Sequence, residues 1–334
     1  MIGVVALALA VLTTTHASGL WTDNNWVNGK TFSPTNYTVV TGLFVQDEPT
    51  FNATGYNVLT DGFGLLDKSA KRWSNFTDYI HRLNREADDY TTYKVIYIAR
   101  HGEGYHNQAE STYGTPAWNC YWSLQNTDGN ITWGPDAVLT PNGVAQALAV
   151  NAAWKEQQQA GVPLPQKLYS SPMRRSTSTL NLTWSDILLN KGYIKEMFRE
   201  SIGLHTCDQR SNLSIIQEAN PGWQIDKSFT FHDELWNPIY EEQLNQQALR
   251  VRMLLNEIFA TDPSTFISIT AHSGVINSFF VAVGHQRFGV QTGGFVPVVV
   301  SWPQRDMSFR ITKTAELMRS DRSRQSHIPQ PPWQ

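Results

Sequence analysis

Arg100-His101-Gly102 follows directly on the apolar run Val95-Ile-Tyr-Ile-Ala99. A neutral imidazole is a good nucleophile near neutral pH. A guanidinium beside it lowers the imidazole pKa and offers a two-pronged fork to phosphoryl oxygens. The tripeptide therefore holds the parts of a phosphoryl acceptor next to its anion clamp. Two more strand-like runs end on similar residues: Lys167-Leu-Tyr-Ser170 leads into Ser171-Pro172-Met-Arg174-Arg175, and Phe266-Ile-Ser-Ile-Thr270 leads through Ala271 to His272. Tyr193 to Arg199 reads as a further strand, ending at Glu200; a Glu after a strand is by itself commonly a surface residue.

These residues need a scaffold that gathers strand ends. Short β-branched and aromatic runs separated by helical stretches predict an α/β fold with a mostly parallel sheet, in which ligands bind outside the carboxyl ends of the strands. Thr140 is a suitable N-cap with Pro141 in the first helical position; Val144, Ala147, Leu148 and Ala152 fall on one face, and Gly161 ends the helix. Glu241 to Ala260 is amphipathic, with Leu244, Ala248, Val251, Leu255 and Ile258 on the side expected to be buried. Glu103 to Glu110 begins a helix. Tyr113 to Pro135 reads as a long Gly-, Asn- and Trp-rich loop that could wall a pocket. Gly62 to Leu66 and the helical stretch Trp73 to Leu83 are expected to cover one edge of the sheet.

Arg100-His101-Gly102-Glu103 followed by Asn107 resembles the signature of the histidine phosphatase superfamily, the phosphoglycerate mutase-like group; the longer Arg-His-Gly-Glu-Gly-Tyr-His-Asn resembles its fungal and plant phosphomutase-like members. The resemblance extends through Leu139, Thr140, Gly143, Gln146 and Ala147, through the Ser-Pro-x-x-Arg-x-x-x-Thr pattern at Ser171 to Thr179, and to Gly293 to Ser301. It implies a three-layer αβα sandwich with an inserted cap segment. It also implies His101 as nucleophile, Glu200 as proton donor, and Arg100, Asn107, Arg175 and His272 as phosphate-binding groups. Ser273 after His272 departs from the acid phosphatase and phytase branch, which takes its proton donor from a His-Asp pair. Glu241 stands where fungal members often carry Arg, which puts the substrate class in question.

Phosphoryl transfer of this kind calls for no metal or other cofactor. His101, Glu103 and His106 are one residue too widely spaced for the zinc helix pattern His-Glu-x-x-His. The expected partner is a small-molecule phosphomonoester. A formal net charge of -3 over 334 residues gives no electrostatic argument for nucleic acid. The longest apolar run, Ile2 to Leu12, is too short to span a bilayer but suits a secretory signal peptide of residues 1–18, cut near Ala17 to Gly19. Sequons at Asn36, Asn52, Asn75, Asn130, Asn181 and Asn212 agree with secretion, and Cys120 and Cys207 could pair or remain free.

The chain is thus expected to comprise a leader, an N-terminal arm at 19–93, a phosphatase-like domain at 94–311 with a cap insert at about 201–239, and a mobile tail at 312–334. His205, within the insert, could line the pocket, although a core or surface histidine is the plainer reading. The expected function is a secreted, metal-independent phosphatase. The alternatives are a phosphomutase of the same fold, or a repurposed member that acts on or binds a non-phosphorylated natural product.

Overall fold

The structure, a computed structural model, describes residues 37–303 and the backbone of a short hairpin, β1 (Asn25–Val27) with β2 (Lys30–Phe32). The expected leader, the Asn36 sequon and the expected tail at 312–334 lie outside the described residues. β3 (Thr38–Val39) and two 3-10 turns precede α1 (Arg72–Glu86) and β4 (Thr91–Arg100). Next come α2 (Tyr105–Tyr113), α3 (Thr115–Cys120), α4 (Pro141–Gln159), β5 (Lys167–Ser170), α5 (Arg174–Trp184) and β6 (Tyr193–Ile194). α6 (Leu213–Ala219), β7 (Gln224–Ile225), α7 (Leu244–Thr261), β8 (Phe266–Ala271), α8 (Ser273–Val283) and β9 (Phe295–Pro303) follow.

Seven strands form one sheet in the order β3-β9-β4-β8-β5-β6-β7. β4, β8, β5, β6 and β7 pair in parallel, while β9 pairs antiparallel with both β4 and β3. Parallel neighbours need crossovers, and the helices that supply them cover both faces. Alternation along β4 divides its side chains between two cores. Ile96 and Ile98 pack with Ile267, Ile269, Val251, Leu255, Ile258 and Phe279 on the α7/α8 side. Val95 and Tyr97 pack with Trp73, Phe76, Trp154 and Leu180 on the α1/α4/α5 side. Each such aliphatic or aromatic side chain removed from water contributes about 1.5–3 kcal/mol. The result is the three-layer αβα arrangement.

Several local expectations are corrected. α1 and the Gly62–Gly64 turn cover a face of the sheet rather than an edge, because Phe63, Trp73, Phe76 and Ile80 insert against Val95, Tyr97 and Val299. α4 buries Ala147, Val150, Asn151 and Trp154; Val144, Leu148 and Ala152 are exposed, because the Trp154 indole sets which face turns inward. The third strand is only Tyr193–Ile194: Lys195 N still donates to Ser170 O, and the backbone then enters a 3-10 turn at Glu196–Phe198, with the buried Lys195 and Glu196 side chains in ion pairs. Tyr113 to Pro135 is not structureless: α3 and a 3-10 turn at Trp122–Leu124 build a small core of Trp118, Trp133, Ala109, Ala137 and Cys207. Segment 201–239 carries α6 and also supplies β7 to the sheet edge. Cys120 is exposed, Cys207 is buried, and both are free.

Candidate active site

Strand register brings the expected residues together. Arg100 pairs with Ala271 across β4 and β8, and Ser170 pairs with Thr270 across β5 and β8. The next residues, His101, His272 and Ser171, therefore leave the sheet side by side at its carboxyl edge. The His101 and His272 rings lie 5.0 Å apart, centre to centre.

His101 is anchored through its backbone: its N–H donates to Ala271 O at 3.0 Å and its carbonyl accepts from Gly293 N at 2.9 Å. Its Nδ1 lies 2.6 Å from Gly102 O. A carbonyl can only accept, so Nδ1 carries the proton and Nε2 keeps its lone pair. Burial pushes the imidazole pKa well below its ordinary value, and the Arg175 and Arg100 charges push the same way. Gly102 N donates to Thr179 Oγ1 at 2.9 Å, tying the nucleophile loop to α5. Gly102 also passes Gly143 so closely that a Cβ on Gly102 would lie 2.3 Å from Gly143 O. The α4 N-terminus, capped by the Thr140 hydroxyl accepting from Gly143 N, therefore packs directly on this loop.

Arg100 ends β4 and donates through Nη1 to Val290 O at 2.9 Å, while its buried Nε has no partner. Arg175 lies in the first turn of α5, 1% exposed. Its Nη1 donates to Cys207 O at 2.8 Å and its Nη2 pairs with Asp208 at 2.5 Å, leaving Nε buried and unpartnered. Burial opposes the Arg175 charge, but Asp208, Cys207 and Asp136 offset that and leave its pKa raised. Asn107 in α2 accepts from Gly104 N through Oδ1 at 3.0 Å.

Glu200 follows the 3-10 turn Glu196–Phe198. Its Oε1 accepts from Gln247 Nε2 and Ser201 N, and its Oε2 accepts from Gly274 N, each at 3.1 Å. Burial and the nearby Asp208 carboxylate raise its pKa above the usual carboxyl range, against the Gly274 and Gln247 hydrogen bonds and the Arg175 charge. His272 is fully buried. Its Nε2 lies 2.7 Å from Ser171 Oγ and 3.3 Å from Ser176 Oγ, and its Nδ1 is buried without a partner. Burial, Arg175 and the neighbouring imidazoles hold its pKa well below the ordinary value.

One cavity of about 330 Å³ is lined by Arg100, His101, Asn107, Arg175 and Glu200 together with other residues. His272, its ring 5.0 Å from that of His101, is not among the lining residues. A second cavity of about 330 Å³, lined by Phe51, Tyr56, Phe288 and Gln291 among others, contains none of these side chains but reaches Val290 and Gly293, which hydrogen-bond Arg100 and His101.

The site also holds residues outside the expected set: His106, from within the Arg-His-Gly-Glu-Gly-Tyr-His-Asn stretch, and Gln247 and Arg250, which carry no sequence signal of their own. His106 lines the cavity with its Nδ1 buried and unpartnered, and its pKa is well lowered by burial and by Arg175 and His101. Gln247 orients Glu200 and also accepts from Ser278 Oγ at 2.8 Å. Arg250 donates to the carbonyls of Met197, Arg199 and Glu200 and pairs with Glu242. Gln247 and Arg250 lie three apart on α7, a spacing that would have flagged them had that face not been expected to be apolar. His205 does line the cavity. Its donor atom, with those of Cys207 and Asp208, falls within a 4.8 Å cluster that could hold a metal ion. Asp208 is already engaged by Arg175, so a cation there would compete with a buried guanidinium.

The arrangement presents an oriented imidazole, two guanidinium groups and a carboxyl group whose pKa is raised, around one small cavity. A family model for the histidine phosphatase superfamily, branch 1, matches residues 96–288. The chain is 38% identical over 282 residues to a protein of Arthroderma benhamiae named "Probable phosphoglycerate mutase", covering 79% of this chain and 84% of the relative. It is 33% identical over 283 residues to "Phosphomutase-like protein 3" of Candida albicans, covering 84% of each chain. The matched span runs from inside β4 past α8 and so contains both histidines, Arg175 and Glu200: the chain belongs to branch 1 of the histidine phosphatase superfamily.

Proposed function

We propose that the protein is a secreted phosphatase that hydrolyses small phosphomonoesters, without a metal, through a phosphohistidine on His101. The observation that carries this reading is the Nδ1 contact to Gly102 O, which leaves Nε2 as an unprotonated nucleophile in a cavity shared with Glu200. In the first step Nε2 bonds to phosphorus, the P–O ester bond breaks, and Glu200 gives its proton to the departing alcohol. In the second step Glu200, now a carboxylate, takes a proton from water as the water oxygen bonds to phosphorus. The P–N bond breaks, inorganic phosphate leaves and Glu200 is protonated again.

Arg100, Asn107 and the unpartnered Arg175 Nε supply donors for the phosphoryl oxygens, where preorganised charge lowers the barrier most. His272 does not line the cavity, but its ring lies 5.0 Å from that of His101 and its Nδ1 is buried without a partner, which supports a role beside the bound anion. The mutase names of the relatives keep phosphoryl return to a second hydroxyl as the competing reading. Secretion is supported by the leader-like N-terminus and by exposed sequons at Asn52, Asn75, Asn130 and Asn181. The test is a time course of phosphate release across a broad monoester panel, with His101→Ala as control. Stoichiometric, His101-dependent release supports the phosphatase; transfer between hydroxyls without release supports the mutase, and neither activity would favour a repurposed site.

A further inference from the structure

Besides Arg100 and Arg175, the cavity lining is acidic. It includes Glu110 and Glu241, with Asn119, Ser201, Ser273 and Asn277 as neutral polar neighbours. The cations on the lining are Arg100 and Arg175, and Arg175 is already neutralised by Asp208. Glu110 accepts from Thr115 Oγ1 at 2.9 Å and lies within the field of Arg100. Glu241 makes no ion pair among the described residues.

Glu241 is held in place by what flanks it. Glu242 N donates to Ile202 O at 2.8 Å, and the Glu242 carboxylate is locked by Arg250 and by Ile202 N. On the other side, Tyr240 O lies so close to Gly203 that a Cβ there would be 1.9 Å away. Gly203, at φ +98°, combines a backbone turn and a close approach that require glycine. The backbone that carries Glu241 is thus anchored on both sides at the cavity wall. Trp118, almost fully buried, adds aromatic surface to the same lining, of the kind that favours a cation.

We infer that Glu241, assisted by Glu110, makes this site select phosphomonoesters whose alcohol carries an ammonium group over those whose alcohol carries a carboxylate. The inference rests on the phosphatase reading above. A substrate carboxylate would face Glu241 with no cation to compensate, whereas an ammonium group would supply the missing charge. One phosphate clamp and one counter-charge then fix both ends of a small zwitterionic ester.

The probes are phosphoethanolamine and 3-phosphoglycerate, with p-nitrophenyl phosphate as the reference whose leaving group carries neither charge. At low ionic strength the wild-type protein is expected to favour phosphoethanolamine by about tenfold or more in kcat/KM, and added salt is expected to shrink the ratio. Glu241→Gln and Glu110→Gln should each narrow the ratio, and Glu241→Arg should invert it. Equal or better turnover of 3-phosphoglycerate by the wild type overturns the inference while His101-dependent hydrolysis of p-nitrophenyl phosphate leaves the phosphatase reading standing. A ratio unmoved in all three variants overturns it too. Absence of His101-dependent turnover of every probe removes both.

Discussion

His101 and His272 are separated by 171 positions in the chain, yet their rings lie 5.0 Å apart because they follow paired residues of two adjacent parallel strands. Each imidazole is held neutral by burial and by the same two arginines. They differ in what their nitrogens touch. His101 spends Nδ1 on Gly102 O and keeps Nε2 as a nucleophile, whereas His272 spends Nε2 on Ser171 and Ser176 and leaves Nδ1 unpartnered. One ring is therefore suited to attack and the other to bind.

The proton balance predicts a pH profile. In the proposed mechanism turnover needs His101 unprotonated and Glu200 protonated, and the downward shift of His101 and the upward shift of Glu200 both favour that pair of states. kcat/KM should therefore be bell-shaped in pH, with an acid limb as His101 gains a proton and an alkaline limb as Glu200 loses one. Asp208→Asn removes a charge that raises the Glu200 pKa, so the alkaline limb should move to lower pH. Glu200→Gln should abolish that limb and lower kcat by about 10²–10⁴-fold for alkyl esters, and by less for p-nitrophenyl phosphate, whose leaving group departs unprotonated. An alkaline limb unchanged in both variants would remove Glu200 from the mechanism.

Gly274 gives a steric test of the same carboxyl group. A Cβ at this position would lie 2.2 Å from Glu200 Oε1 and 3.0 Å from Gln247 Oε1. Gly274→Ala should displace the carboxyl group and reduce kcat by about 10²-fold, the scale on which a 1 Å misplacement acts. Its helical backbone tolerates alanine, so the melting temperature should change little. Wild-type kcat in a folded Gly274→Ala protein would contradict the assigned position of the acid.

Arg250 tests stability. It joins the Glu242 carboxylate to three backbone carbonyls beneath the acid loop, and both side chains of the pair are more than nine-tenths buried. Arg250→Met leaves Glu242 as an uncompensated buried charge and should cost about 3–5 kcal/mol. A shift of the urea midpoint reads this directly. Adding Glu242→Gln should recover part of the loss, because the stranded charge is then gone.

The central strand, the capped start of α4, the strand-end positions of His101 and His272 and the helix-start position of Arg175 were legible because each depends on local pattern: a β-branched run, Thr140 before Pro141, a titratable residue where an apolar run stops, Ser171-Pro172 ahead of a helix. Gln247 and Arg250 were not. They interrupt the apolar stripe of α7, and their partners Glu200 and Glu242 meet them only after folding. β6 was overextended for a similar reason. Lys195 and Glu196 continue a strand-like sequence, but the backbone turns into a 3-10 helix at Glu196–Phe198, where buried ion pairs to Glu257, Asp226, Arg199 and Arg210 form that the local sequence does not show. The engagement of Arg175 by Asp208 was equally hidden, since it depends on how the segment after Glu200 returns over α5.

The most direct test is to trap the covalent intermediate. A ³²P-labelled monoester mixed rapidly with the protein and quenched in alkali should leave label on the peptide containing His101, stable to base and lost in acid, and absent from His101→Ala. Phosphate release with no label on His101 at any quench time, or equal labelling of His101→Ala, would contradict it.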